Sequence, residues 1–194
     1  MHSSVAKLPL SPENQAAESL TAGDLRSALT QLMECYGDEI YRHCRQVTGN
    51  DALAADVHQT VFMQAFRDLP RFGGRSSFRT WLYAIARNRC LDALKAQKRR
   101  RWRFLQGVDT SDQADAAPSA PSRLENHSQS RAMDAALNSL KPEIRIAVLL
   151  RYREEMSYEE MAEVCGVKAA TLQARVQRAL PKLKEALEKS GGKR

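Results

Sequence analysis

Wherever the apolar residues of this chain are periodic, the period is helical. From Asp24 they fall at Leu25, Ala28 or Leu29, Leu32, Cys35 or Tyr36, Ile40, Cys44 and Val47, one face of a long helix that Thr48, Gly49 and Asn50 end. Asp51 is placed to cap a second helix with the stripe Leu53, Val57, Val61 with Phe62, and Ala65 with Phe66. The opposite face of that helix offers Asp56, Gln59 and Met63. Pro70 and the Gly73–Gly74 pair then break the chain into a loop. A third helix starts at Ser76 or Ser77, with Phe78, Leu82 and Ile85 on one face and Trp81 and Tyr83 set off it.

The period lapses over residues 104–130, which are rich in Ser, Ala, Asp and Pro and read as a flexible acidic linker. Fully extended, such a linker reaches on the order of 90 Å, more than the roughly 34 Å of one duplex turn. The helical pattern returns at Arg131 with MDAALNSL, and Pro142 suits the first turn of the next helix. Beyond Met156 the pattern is helix, short turn, helix. Ser157 and Glu160 form a capping box, Met161, Ala162 and Val164 or Cys165 face inward, Gly166 turns, and Val167 and Leu172 close the core. The expectation is an all-α chain of two small helical domains joined by a flexible linker, the second a helix-turn-helix. Its parts are a flexible tail at 1–23, a domain at 24–103, the linker at 104–130, a domain at 131–189 and a short tail at 190–194.

Charge adds a direction to this scaffold. The formal net charge is +7, and residues 87–103 carry eight cations against one acid. The wider stretch from Leu69 to Arg103 holds Phe72, Phe78, Trp81, Tyr83 and Trp102, five of the chain's twelve aromatics, interleaved with Arg71, Arg75, Arg79, Arg87 and Arg89. Aromatic faces beside guanidinium groups bind unstacked bases and their phosphates, and clustered positive charge suits a polyanion. In the second domain, residues 154–163 carry five acids, whereas 168–184 carry Lys168, Arg175, Arg178, Lys182 and Lys184 and no acid. The second helix of the helix-turn-helix is therefore the one suited to a DNA groove.

Other classes find little support. No apolar run approaches membrane-spanning length, the longest being Ile146 to Leu150, and the N-terminal MHSSVAKLPL lacks a secretory apolar core, which points to the cytoplasm. The cysteines Cys35, Cys44, Cys90 and Cys165 show no CxxC pairing and read as buried reduced thiols. His43 and Cys44 are neighbours on a helix and point about 100° apart, which argues against a metal site, and no cofactor is expected. No nucleophile with a base, carboxylate pair or phosphate loop suggests an enzyme.

Two blocks then carry a resemblance. DVHQTVFMQAF followed by RFGGRSSFRTWLYAIARNRCLD is similar to the second conserved region of the extracytoplasmic-function (ECF) sigma factors, the compact class of bacterial RNA polymerase specificity subunit. LNSLKPEIRIAVLLRYREEMSYEEMAEVCGVKAATLQARVQRAL is similar to their fourth region. The resemblance spans about 25–188.

It implies that Asp56, Gln59, Phe62 and Met63 lie on the helix that docks core polymerase. Arg71, Phe72, Arg75, Ser76 and Ser77 fall in the loop that captures a flipped minus-ten base. Thr80, Trp81, Tyr83, Arg87 and Asn88 lie beside the melted strand, where stacking and cationic contacts at about 1–3 kcal/mol each offset base extrusion. Lys168, Ala170, Thr171, Gln173, Arg175, Arg178 and Lys182 fall on the minus-thirty-five helix. The implied partners are core RNA polymerase, promoter DNA and an anti-sigma protein.

The chain also departs from the family pattern. Ala55 and Thr60 stand where acids are common, Lys168 and Gln173 replace customary residues, and Pro181 is expected to kink or end the recognition helix. The competing readings are a stand-alone helix-turn-helix regulator and a general single-strand or RNA-binding protein.

Overall fold

The computed structural model describes residues 11–106 and 127–191, all in helices and the turns between them. The expected N-terminal tail is only in part a tail: Pro12–Thr21 forms α1, with Ser11 as N-cap and Pro12 in the first turn. Ala16 of α1 is fully buried, and Ser19 donates to Gln31 Oε1 at 3.0 Å. Its apolar content is too slight for the periodicity to show, and the contact with the following helix is what places it.

The first long helix, α2 (Leu25–Thr48), is capped by Asp24, whose carboxylate accepts from the Ser27 amide, and it ends at Gly49 in the left-handed conformation, φ 68°. α3 spans Asp51–Asp68. Its cap is Asn50 rather than Asp51: the Asn50 side chain accepts from the Leu53 amide at 2.8 Å, and Asp51 occupies the first turn instead. A short 3-10 turn, Leu69–Arg71, leads into the glycine loop, and α4 runs Phe78–Leu105 under a Ser77 cap. Leu32, Ile40, Val61, Leu69, Leu82 and Tyr83 are among the buried side chains where α2, α3 and α4 converge.

α4 thus outlasts the expected domain end at 103, and α5 (His127–Asn138) begins inside the expected linker, whose residues 107–126 lie outside the described residues. In the second domain α5 and α6 (Pro142–Tyr152) precede the helix-turn-helix of α7 (Tyr158–Cys165) and α8 (Ala169–Gly191). The Ser157–Glu160 capping box is formed, and Gly166 takes the left-handed φ of 62° at the turn. Pro181 does not end α8, which continues ten residues beyond it. Pro181 cannot donate to the Gln177 carbonyl, but buried Ala179 and Leu183 on either side keep that face packed.

The two domains touch. α4 packs on α7 and α6, and α2 packs on α5 and α6. Among the described residues no helix is long and apolar enough to cross a membrane.

Candidate nucleic-acid interface

One face of α3 is open. Asp56, Gln59 and Met63 are exposed, Met63 at 59%. Phe62 is not with them: it is buried, 5.0 Å ring to ring from His58, whose Nε2 bonds the Gly37 carbonyl. Phe66, read from the sequence as core, takes the outward place and is 38% exposed. The spacing 56, 59, 63, 66 is itself helical, so the pattern contained this stripe, but a phenylalanine draws a core assignment by default. The result is an acid and an amide beside two exposed apolar side chains.

The loop and α4 behave differently from one another. Gly74 reverses the loop at φ 65°. Phe72 then folds back, stacked on Phe78 at 4.3 Å and 5.1 Å from Trp81. These rings form a small core that holds the loop, leaving Arg71 and Arg75 exposed and Ser76 half-buried. The Ser77 hydroxyl is occupied as the helix cap and bonds Thr80, which is buried. Asn88 is exposed and accepts from Arg87 at 2.8 Å.

Tyr83, expected beside a DNA strand, is fully buried. Its Oη stands 2.6 Å from Glu154 Oε2 and 2.8 Å from Glu39 Oε1. A phenol has one proton, and the shorter bond assigns it to Glu154, because Glu39 already receives two bonds from Arg79. Burial first, and these carboxylates second, push the Tyr83 phenol far above its ordinary pKa. No local pattern reveals this, since Glu154 is 71 residues away along the chain.

On α8, Lys168, Ala170, Thr171, Gln173, Arg178 and Lys182 are exposed and Arg175 is half-buried. At 100° per residue, Lys168, Thr171, Arg175, Arg178 and Lys182 share an arc of about 80°. Ala170 and Gln173 fall outside it. Buried Leu172, Val176, Ala179 and Leu183 form the adjoining stripe, which fixes the helix in rotation and leaves the cationic arc exposed beside it, with Arg175 half-buried. Such an arc matches the phosphates and base edges of a major groove.

Comparison with known proteins agrees with this geometry. A family model for Sigma-70 region 2 matches residues 32–100, and one for Sigma-70, region 4 matches residues 130–183. The chain belongs to the ECF RNA polymerase sigma factors of the sigma-70 superfamily. It is 34% identical over 163 residues to the RNA polymerase sigma factor CarQ of Myxococcus xanthus, covering 79% of this chain and 90% of CarQ. It is 32% identical over 160 residues to the ECF RNA polymerase sigma factor SigE of Mycolicibacterium smegmatis. That match covers 82% of this chain but only 61% of SigE, and this chain covers only 51% of the SigG relative from Mycobacterium tuberculosis. Among solved structures, the sigma factor RpoE of Bartonella quintana, in complex with the anti-sigma factor NepR, superimposes with a TM-score of 0.62 at 25% identity. That match covers 82% of this chain and 96% of RpoE.

Proposed function

We propose that this chain is a bacterial transcription initiation factor that binds core RNA polymerase, directs it to two-part promoters and assists their melting without catalysing a reaction. In this reading Asp56, Gln59, Met63 and Phe66 dock polymerase, with Phe62 supporting them from beneath. Arg71, Arg75 and the loop they flank meet the minus-ten element, with Trp81, Arg87 and Asn88 beside the strand. The arc of Lys168, Thr171, Arg175, Arg178 and Lys182 meets the minus-thirty-five element. The observation that carries the reading is the pairing of an open, uncharged-to-acidic α3 face with an outward cationic arc on α8 in one chain. A stand-alone regulator has use for the second but none for the first.

The protein would work in the cytoplasm, and an anti-sigma protein of the kind bound to the RpoE relative is the inferred partner. The test is to supply purified chain to core bacterial RNA polymerase with genomic fragments and map transcript starts. Starts that require the chain and share paired upstream elements are the expected result, and they should vanish with Met63→Asp. DNA fragments enriched by the chain alone, with no new starts, would favour the stand-alone regulator instead.

A further inference from the structure

Glu154 lies in the turn between α6 and α7, in the second domain, but its carboxylate takes its hydrogen bonds from the first. Tyr83 of α4 donates to Oε2 at 2.6 Å, His43 of α2 lies 3.4 Å from Oε1, and Arg79 donates to the Glu154 backbone carbonyl at 3.0 Å. An ionised carboxylate only accepts, so His43 presents its Nδ1–H there. Its ring packs edge-on against Tyr83 at 4.9 Å, is fully buried, and has no partner at Nε2 among the described residues. The residue after Glu154 is strained: Glu155 has φ 55°, in the region that favours glycine. The chain is thus bent at some cost at the point that turns Glu154 into the first domain.

The rest of the seam is as closely fitted. Arg145 of α6 donates to the Val47 carbonyl in the last turn of α2 at 2.6 Å. Asn138 lies so close to Gly49 that a Cβ there would stand 2.9 Å from its Oδ1. Cys165 of α7 is buried with the Arg87 guanidinium against its thiol. What the seam covers is the α4 face holding Thr80, Tyr83 and Arg87. What it leaves open is the α3 face of Asp56, Gln59 and Met63.

We propose that the seam is a latch: Glu154, held by Tyr83, His43 and Arg79, keeps the helix-turn-helix domain over α4, and that face meets DNA only after the domains part, whereas α3 docks polymerase with the latch closed. Both hydrogen bonds to this buried carboxylate come from the other domain, and on its own side only Arg153, among the described residues, stands near it, at 3.9 Å; parting the domains therefore costs those bonds together, which makes the contact close to all-or-none. The identity of what opens the latch rests on the initiation-factor reading; the closed state does not.

The cysteines allow a direct test on the full chain. Cys165 sits in the seam, whereas Cys44 and Cys90 are buried between α2 and α4 within the first domain. Iodoacetamide labelling, read cysteine by cysteine by mass spectrometry, therefore separates opening from unfolding. In Glu154→Lys, Cys165 should label at least about tenfold faster than in the wild type, with Cys44 and Cys90 unchanged, and small-angle scattering should report an expanded particle. Tenfold corresponds to about 1.4 kcal/mol in the closing equilibrium.

If all three thiols accelerate together, the substitution has unfolded the chain and Tyr83→Phe decides, since it removes only the hydroxyl. The same selective rise is expected there, and its absence overturns the latch. Equal Cys165 labelling in a folded Glu154→Lys and the wild type also overturns it. Core polymerase added to the wild type should bring the same selective rise in Cys165 when a single-stranded minus-ten oligonucleotide is present; a Cys165 that stays protected in that complex overturns the gating. Selective opening in Glu154→Lys, with neither form binding polymerase, would uphold the latch and remove the initiation-factor reading.

Discussion

The two helices suited to DNA, α4 and α8, stand in opposite conditions. On α8 the cations lie beside a conventional apolar stripe, and Lys168, Thr171, Arg178 and Lys182 are exposed with Arg175 half-buried. On α4 the corresponding face is occupied: Thr80 is buried, Tyr83 is shared between Glu39 and Glu154, and Arg87 faces Cys165. A binding face on a single helix-turn-helix is available as soon as that unit folds. A binding face that also serves as the floor for a second domain becomes available only when the domains separate, so its residues contribute to stability and to recognition at once.

The contrast predicts where substitutions hurt. The largest effect is expected at Arg145, a buried cation with no carboxylate partner among the described residues; burial lowers its pKa, and its guanidinium donates to the carbonyls of Leu137, Val47 and Asn138. Arg145→Met should strand those acceptors and cost about 3 kcal/mol in urea unfolding, at roughly 1 kcal/mol or more per orphaned group. A loss under 1 kcal/mol would mean the ends of α2 and α5 are held by packing alone.

Next comes Glu154→Gln, which keeps the shape but removes the charge that Arg79 and His43 face. About 2 kcal/mol is expected, below the 3–5 kcal/mol of breaking a buried pair outright, because the amide still accepts from Tyr83. On α8, Arg178→Ala should leave the unfolding midpoint within about 0.5 kcal/mol while weakening binding to a minus-thirty-five duplex. If Arg178→Ala destabilised the chain as much as Glu154→Gln, the distinction between the two faces would be lost.

Acid should act on the seam through the same group. Burial alone would raise the Glu154 pKa, but the hydrogen bonds from His43 and Tyr83 outweigh it and hold the carboxyl below its ordinary value of 4.5. A carboxylate depressed on folding stabilises the closed form above its ordinary value, and that contribution fades as pH falls through the lower folded value. Small-angle scattering should therefore show the wild type opening below about pH 4.5, with Glu154→Gln showing a weaker pH response there. The smallest effect is a gain: Glu155→Gly relieves the left-handed φ of 55° and should raise stability by about 1 kcal/mol or less, with no change in labelling of Cys165.

Much of this was legible in the residues. The helical period located α2, α3, α4 and the helix-turn-helix, and Ser157 with Glu160 and Gly166 marked the turn chemistry that the structure contains. Local pattern placed both Phe62 and Phe66 on the core stripe, and only Phe62 is buried, because a stripe two residues wide leaves open which phenylalanine points inward until the neighbouring helix is in place. It missed α1, whose one fully buried residue, Ala16, is too small to register as periodic.

The sequence by itself determined that the chain is all-helical, that its charge is concentrated on two helices, and that two separate motif blocks carry the sigma-factor resemblance. These follow from local amphipathicity, capping and composition, which depend on residues within a few turns of each other. Only the tertiary structure decided that Tyr83 is buried rather than offered to a strand, that Glu154 takes its hydrogen bonds from the other domain, and that Gly49 lies against the Asn138 side chain. Each of those depends on groups between 71 and 111 residues apart along the chain, and no periodicity encodes which helix face another domain will cover.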